Sequence, residues 1–229
     1  MKMSARIVAF VALLLSGLTA PHWSGPAHAD NFPSSISSVC SGRCAATFLA
    51  GMQLDTNMEK VFVARGEFTP PWGYEFSKSF FLGGTFSVEV YDFHGLLGVE
   101  AEAGLGQRFG TLHETEVWGA AYLRWKYFPW NHIVRTTVAV STGVNYASGV
   151  PSYEILQSGN GKGSNALHYF SPEITFALPS APDQELVVRI HHRSGGSEWW
   201  GENHPIFRDM FGNTAGGVQY VTAGIRHRF

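Results

Sequence analysis

The sequence predicts an all-β fold, an eight-stranded antiparallel transmembrane β-barrel of the outer-membrane type, and three observations lead there. Segments of about ten residues alternate apolar and polar side chains from residue 82 to Phe229, the period of strands with two unlike faces. The polar face collects charges of both signs. Connections alternate between short turns and long loops rich in glycine and serine, the pattern of a barrel that crosses a bilayer.

The N-terminus reads as a secretory signal, residues 1–29. Lys2 and Arg6 precede an apolar run, and Ala27-His28-Ala29 is a small-residue cleavage site, so the barrel is assigned to residues 30–229, with a short N-terminal periplasmic lead-in. After that segment no stretch of eighteen or so apolar residues remains, which excludes a transmembrane helix. A formal net charge of -2 and the lack of a basic run exclude nucleic acid as a partner. Cys40 and Cys44 are the only cysteines, and in an exported chain a local disulfide is the expected reading; a redox or metal site needs more ligands than this pair offers.

Thr47 to Gln53 gives a weakly alternating first strand, followed by a long loop over 55–79 with a short strand near Val61 to Arg65. From Leu82 the alternation is clear: Leu82, Gly84, Phe86, Val88 and Val90 share one face. After a turn at 92–95, Leu97, Val99, Ala101, Ala103 and Leu105 oppose Glu100 and Glu102. A loop near 110–114 leads to Val117, Gly119, Ala121, Leu123 and Trp125, opposed by Glu116, Arg124 and Lys126. The turn at 129–132 leads to Val138, Val140, Thr142 and Val144, opposed by Arg135, Ser141 and Asn145. A long loop runs over 147–167. Phe170, Pro172, Ile174, Phe176 and Leu178 then oppose Ser171, Glu173 and Thr175, with Pro172 a residue that a central strand disfavours. A turn at 181–184 enters Leu186 to Ser194, a loop spans 195–216, and a last strand has Gln219, Val221, Ala223 and Ile225 on one face.

Either a protein core or a bilayer can cover the apolar face. The other face decides, because it collects Glu89, Glu100, Glu102, Glu116, Glu173, Arg124, Arg189, Arg193 and Arg226. A sandwich exposes no reason for so many charges in register, whereas about eight strands close the smallest barrel whose interior side chains can fill, here with a packed lumen network rather than an open channel. Phe229 resembles the terminal aromatic of bacterial outer-membrane assembly signals. By loop length, the turns near 92–95, 129–132 and 181–184 are periplasmic and the long loops extracellular.

The chemistry concentrates in Arg189-Ile190-His191-His192-Arg193-Ser194. Strand alternation puts His192 and Ser194 on the apolar face with Leu186, Val188 and Ile190, and puts His191 and Arg193 on the lumen face. A serine hydroxyl needs a base to become a nucleophile, and a histidine two residues away on the same face is within reach. Pairing the last two strands so that apolar faces match places Leu186 opposite Ile225, Val188 opposite Ala223, Ile190 opposite Val221 and His192 opposite Gln219. Gln219 is thus the candidate group to orient the histidine, Gly195 and Gly196 are candidate oxyanion donors, and Glu198 and Glu202 are alternative acids. His191, His192 and His204 are rejected as a metal site, since the adjacent pair points to opposite faces. Glu100 and Glu102 read as salt-bridge partners in an arginine-rich lumen. No cofactor is called for.

The run from Arg189 to Gly195, together with Glu173-Ile174-Thr175-Phe176-Ala177-Leu178-Pro179 and the last strand from Gly216-Gly217 to Arg226-His227-Arg228-Phe229, resembles the outer-membrane lipid A 3-O-deacylases of the PagL type and the related acyloxyacyl hydrolase-like proteins. The resemblance covers the C-terminal third. It implies an eight-stranded barrel that hydrolyses an ester-linked acyl chain of lipopolysaccharide, with His192 as base, Ser194 as nucleophile and outer-leaflet lipid A as partner. The family motif continues His-x-Ser-Asn and places a glutamate on the last strand; this chain has Gly195 and Gln219 there. A non-catalytic small barrel, structural or adhesive, is the alternative reading, and a homodimer is left open.

Overall fold

The computed structural model describes residues 40–62, 66–196, 204–214 and 216–229, all within the compact unit Ser38–Phe229. The N-terminal signal segment, Arg65, Glu198, Trp199, Trp200 and Glu202 lie outside the described residues. The strands are β1 (Cys44–Leu54), β2 (Phe76–Phe93), β3 (Leu97–Gly110), β4 (Thr115–Trp125), β5 (Arg135–Ala147), β6 (Ala166–Phe170), β7 (Glu173–Leu178), β8 (Ala181–Ser194) and β9 (Gly217–Arg228). Each pairs antiparallel with its neighbour, and β9 closes onto β1 from Ala45 opposite Arg228 to Gln53 opposite Tyr220.

Nine strands make eight staves. Both β6 and β7 pair with β5 on one side and β8 on the other, so they are two halves of one stave broken at Ser171-Pro172. The break has a local cause: proline has no N–H to donate to the ladder. The carbonyls still serve, Ser171 accepting from Ser141 N at 3.2 Å and Pro172 from Ile190 N at 3.0 Å. The sheet is therefore an eight-stave closed barrel, which leaves no open edge.

Several boundaries differ from the sequence expectations. β1 and β2 are longer: Cys44 to Ala46 already pair with β2 or β9, and Phe76 and Phe80 continue the outer face of β2 toward the long-loop end. In place of a strand near Val61, Met58–Val61 forms one helical turn, with the Asn57 side chain accepting from Glu59 N. The β7–β8 turn is at Pro179-Ser180, and residues 181–184 already belong to β8. β6 starts at Ala166, so the top of its stave lies in what the composition marked as loop. Cys40 and Cys44 form a disulfide at the short-turn end, where Cys44 and Phe229 exchange backbone hydrogen bonds across the seam.

The two faces are unlike in the way a bilayer demands. Outward side chains such as Phe48, Leu82, Phe86, Leu105, Leu123, Val140 and Ile225 are exposed, while the largest fully buried side chains include Arg108, Arg124, Arg189, Arg193 and Arg226. A water-soluble protein inverts this arrangement. In the lower lumen Arg124 binds Glu100 and Glu173, Arg189 binds Glu102 and Glu173, and Arg226 binds Glu173. Glu100 and Glu102 are ion-pair partners, as expected. Above them Phe81, Trp118, Tyr169 and Tyr220 fill the barrel around Leu49. The indole lies against Gly104, where an added Cβ would fall 2.1 Å from the ring, so bare backbone is what admits it.

Candidate active site on the outer wall

β8 sets the site. Its inward residues Arg189, His191 and Arg193 are each tied into the lumen, and its outward residues Ile190, His192 and Ser194 alternate between them. His191 donates through Nε2 to Glu116 Oε1 at 2.9 Å and has Tyr169 OH 3.1 Å from Nδ1, and Arg193 donates to Asn145 Oδ1 at 3.0 Å. With its lumen side fixed at every second residue, the strand presents His192 and Ser194 from a rigid element.

The predicted register holds across β8 and β9. Leu186 faces Ile225, Val188 faces Ala223, Ile190 faces Val221, and His192 faces Gln219. His192 Nδ1 and Gln219 Oε1 are 3.2 Å apart. The amide's other end decides the tautomer: Gln219 Nε2 donates to the Thr56 carbonyl at 2.7 Å, so Oε1 must be the atom turned to the histidine. Oε1 only accepts, hence Nδ1 bears the proton and Nε2 carries the lone pair. A base for a hydroxyl needs that tautomer. Thr56 also explains why an amide stands here, because a carboxylate would set an anionic oxygen against the carbonyl.

Ser194 Oγ accepts from Gly196 N at 3.3 Å, and no hydrogen bond among the described residues joins it to His192. Gly196 has φ of 73°, the left-handed region that glycine adopts freely, and this bends the backbone N–H back toward the serine. Gly195 follows Ser194 directly and lies with it in a buried position.

One expectation is corrected. His192 and Ser194 face outward but do not meet lipid: His192 is 6% exposed, Ser194 3% and Gln219 8%. The loop after β1 folds down over the wall, bringing Thr56 to Gln219 and Phe62 edge-on to Phe170, the β6 residue opposite His192. An uncovered imidazole and amide in hydrocarbon would lack partners, and the loop backbone supplies one.

Two residues absent from the sequence reading join the site. His168 on β6 is directly opposite Ser194, and its Nε2 lies 3.0 Å from Thr142 Oγ1. A groove of about 350 Å³ on the outer wall runs past His168, lined by Thr142, Val144, His204, Met210 and Phe211. Thr56 is the other. His168 shares a strand face with Phe170, a signal concealed by the short length of this strand after a loop rich in glycine and serine. His191 and His192 sit on opposite sides of the wall, and His204 borders the groove.

The closed ring, apolar exterior and charged lumen define a transmembrane β-barrel of the outer-membrane type, with a polar constellation sheltered on its outer wall. No family model matches the chain, and no curated protein matches it. Among solved structures it is similar to Neisserial surface protein A (NspA), with 11% identity, TM-score 0.47, and coverage of 83% of this chain and 99% of that one. It is also similar to the outer membrane enzyme PagL, with 12% identity, TM-score 0.47, and coverage of 81% and 99%. Neither likeness bears on what this chain does.

Proposed function

We propose that the protein is an outer-membrane serine esterase that removes an ester-linked acyl chain from lipid A, the membrane anchor of lipopolysaccharide. The supporting observation is the outer-wall row in which Thr56 orients Gln219, Gln219 orients His192, and His192 stands two residues from Ser194 on one face. In the reaction His192 Nε2 takes the Ser194 proton as Oγ attacks the acyl carbonyl. The carbonyl oxygen becomes an oxyanion, for which the Gly195 and Gly196 N–H groups are the nearby donors. Collapse expels the sugar alkoxide, which receives the proton from His192, and water then releases the fatty acid by the same steps in reverse. Gln219 holds the tautomer without adding charge, so the imidazolium receives less stabilisation than a carboxylate would give. The resemblance of the β8 and β9 motifs to the lipid A deacylases supports the substrate class.

Mass spectrometry of lipid A from cells expressing the wild type or Ser194→Ala tests this. The expected result is loss of one acyl chain with the wild type alone; identical patterns at equal amounts of folded barrel would sink the reading. The second reading, a non-catalytic structural or adhesive barrel, draws on the bond from Gly196 N to Ser194 Oγ, which leaves the serine engaged by backbone rather than by the histidine. It expects Ser194→Ala to change nothing while shortening the 195–216 loop abolishes surface binding.

A further inference from the structure

The outer-wall site is connected to a buried charge inside the barrel mouth. The loop after β5 turns into the lumen, where the helical turn Ser152–Leu156 buries Glu154 completely. Arg193, the β8 residue between His192 and Ser194, donates to Glu154 Oε2 at 3.1 Å and to the carbonyls of Ser164 and Asn165 at 3.2 and 3.3 Å. The same loop then climbs over the rim. Ser158 forms a β-bridge with Thr214, Gly159 N donates to Asn213 O at 2.8 Å, and Ser164 Oγ donates to Met210 O at 3.2 Å. Residues 210–214 belong to the segment that roofs the groove. Phe211 is buried there, its ring 6.5 Å from that of His168, and His168 faces Ser194. The connections close a circuit over the rim, from Ser194 through Arg193, Glu154, the loop and Phe211 to His168 and back.

Each link has a physical reason to hold. Arg193 and Glu154 are both fully buried, and truncating one partner leaves the other desolvated without its nearest hydrogen-bonding counter-group. The helical turn alone is too short to be stable in water. Its position depends on that ion pair and on the rim hydrogen bonds, and so does the cover they share.

We propose that Glu154 is a positioning residue for the outer-wall site: by holding Arg193 inside the mouth it fixes the strap of residues 158–164, which in turn holds residues 210–214 over the groove beside Ser194. The consequence for catalysis rests on the esterase reading; the mechanical coupling does not. Burial raises the Glu154 carboxyl above its ordinary value in spite of Arg193 and Arg108 nearby, with Glu116 adding to the rise. A neutral amide of the same shape still offers Arg193 an oxygen, so Glu154→Gln separates the hydrogen bond from the charge.

The test uses full-length protein folded in detergent micelles, with barrel integrity read from heat-modifiable gel migration. Hydrogen exchange is followed in 152–164 and 204–214, and KM and kcat are measured with p-nitrophenyl decanoate. Glu154→Ala is expected to speed exchange in both segments by tenfold or more and to raise KM several-fold with a smaller change in kcat. Glu154→Gln should retain most of the protection, with a smaller rise in KM. Should Glu154→Ala fail to fold, Glu154→Asp, which withdraws the carboxylate by one methylene, is expected to show the same pattern more mildly. Faster exchange confined to 152–164, or equal damage from Gln and Ala, overturns the proposal. Wild-type protein that turns over no ester and does not react with a fluorophosphonate at Ser194 defeats the esterase reading instead, while the exchange measurements still decide the coupling.

Discussion

At the scale of single residues the deciding atom is the Thr56 carbonyl. In the esterase reading it makes Gln219 the orienter, since one amide satisfies a carbonyl with its N–H and a histidine with its oxygen. Two substitutions separate these duties. Gln219→Leu removes both, and kcat on a soluble ester is expected to fall about 100-fold with little change in KM, the signature of a lost tautomer rather than lost binding. Gln219→Glu keeps an acceptor for the histidine but faces the Thr56 carbonyl with a carboxylate. That costs roughly 1–3 kcal/mol for the unsatisfied buried group, so activity is expected to drop rather than rise. A higher kcat in Gln219→Glu would show that the loop can turn its carbonyl away, and that the amide is not selected by Thr56. The part of Thr56 was not legible in the sequence, because it reaches the site from a loop with no periodic pattern. The residues His192, Ser194 and Gln219 were legible, since strand alternation and face matching place them without reference to loops.

At the scale of the element, β8 shows how a strand holds a site on one side with charge on the other. Arg189 is the central anchor, with Glu185 tied to Arg226 and Arg228 below it. Its guanidinium makes a two-pronged pair with Glu102 at 2.9 and 2.8 Å, reaches Glu173, and lies 5.1 Å from the centre of the Tyr122 ring. Arg189→Met keeps the bulk but leaves Glu102, among the described residues, with the Trp118 indole N–H as its hydrogen-bond partner. The expected loss is about 3–5 kcal/mol in urea unfolding from micelles, with partial recovery in Arg189→Met/Glu102→Gln, because the harm comes from the orphaned charge more than from the missing pair. A recovery of nothing in the double variant would mean that packing against Tyr122, not charge balance, dominates. The inward placement of Arg189, Glu102 and Glu173 followed from period two alone. The split of one stave into β6 and β7 did not: Pro172 warned of a broken ladder, but the strand resumed above it and carried His168 into the site.

At the scale of the molecule, the outer wall is graded along the barrel axis. Tyr91, Phe93, Leu96, Trp125 and Tyr127 ring the short-turn end, while Phe76, Phe80, Phe109 and Tyr146 are exposed toward the long-loop end. Between them the row of Ala101, Ala121 and Thr142 is paired across β3, β4 and β5. That row is the middle of the apolar band. An arginine there must be drawn through hydrocarbon, at about 2–4 kcal/mol, whereas the same side chain near an interface costs roughly 0–1 kcal/mol. Ala121→Arg is therefore expected to fold into phosphatidylcholine vesicles less stably than Leu96→Arg by about 2 kcal/mol or more, read from denaturant titrations of the two variants. In detergent, whose layer yields to a charge more readily, the gap should narrow. Equal stability in vesicles would place Ala121 in water and remove the membrane from around this wall. It would also take away the reason for His192 and Ser194 to shelter beneath a loop, since an aqueous histidine needs no cover.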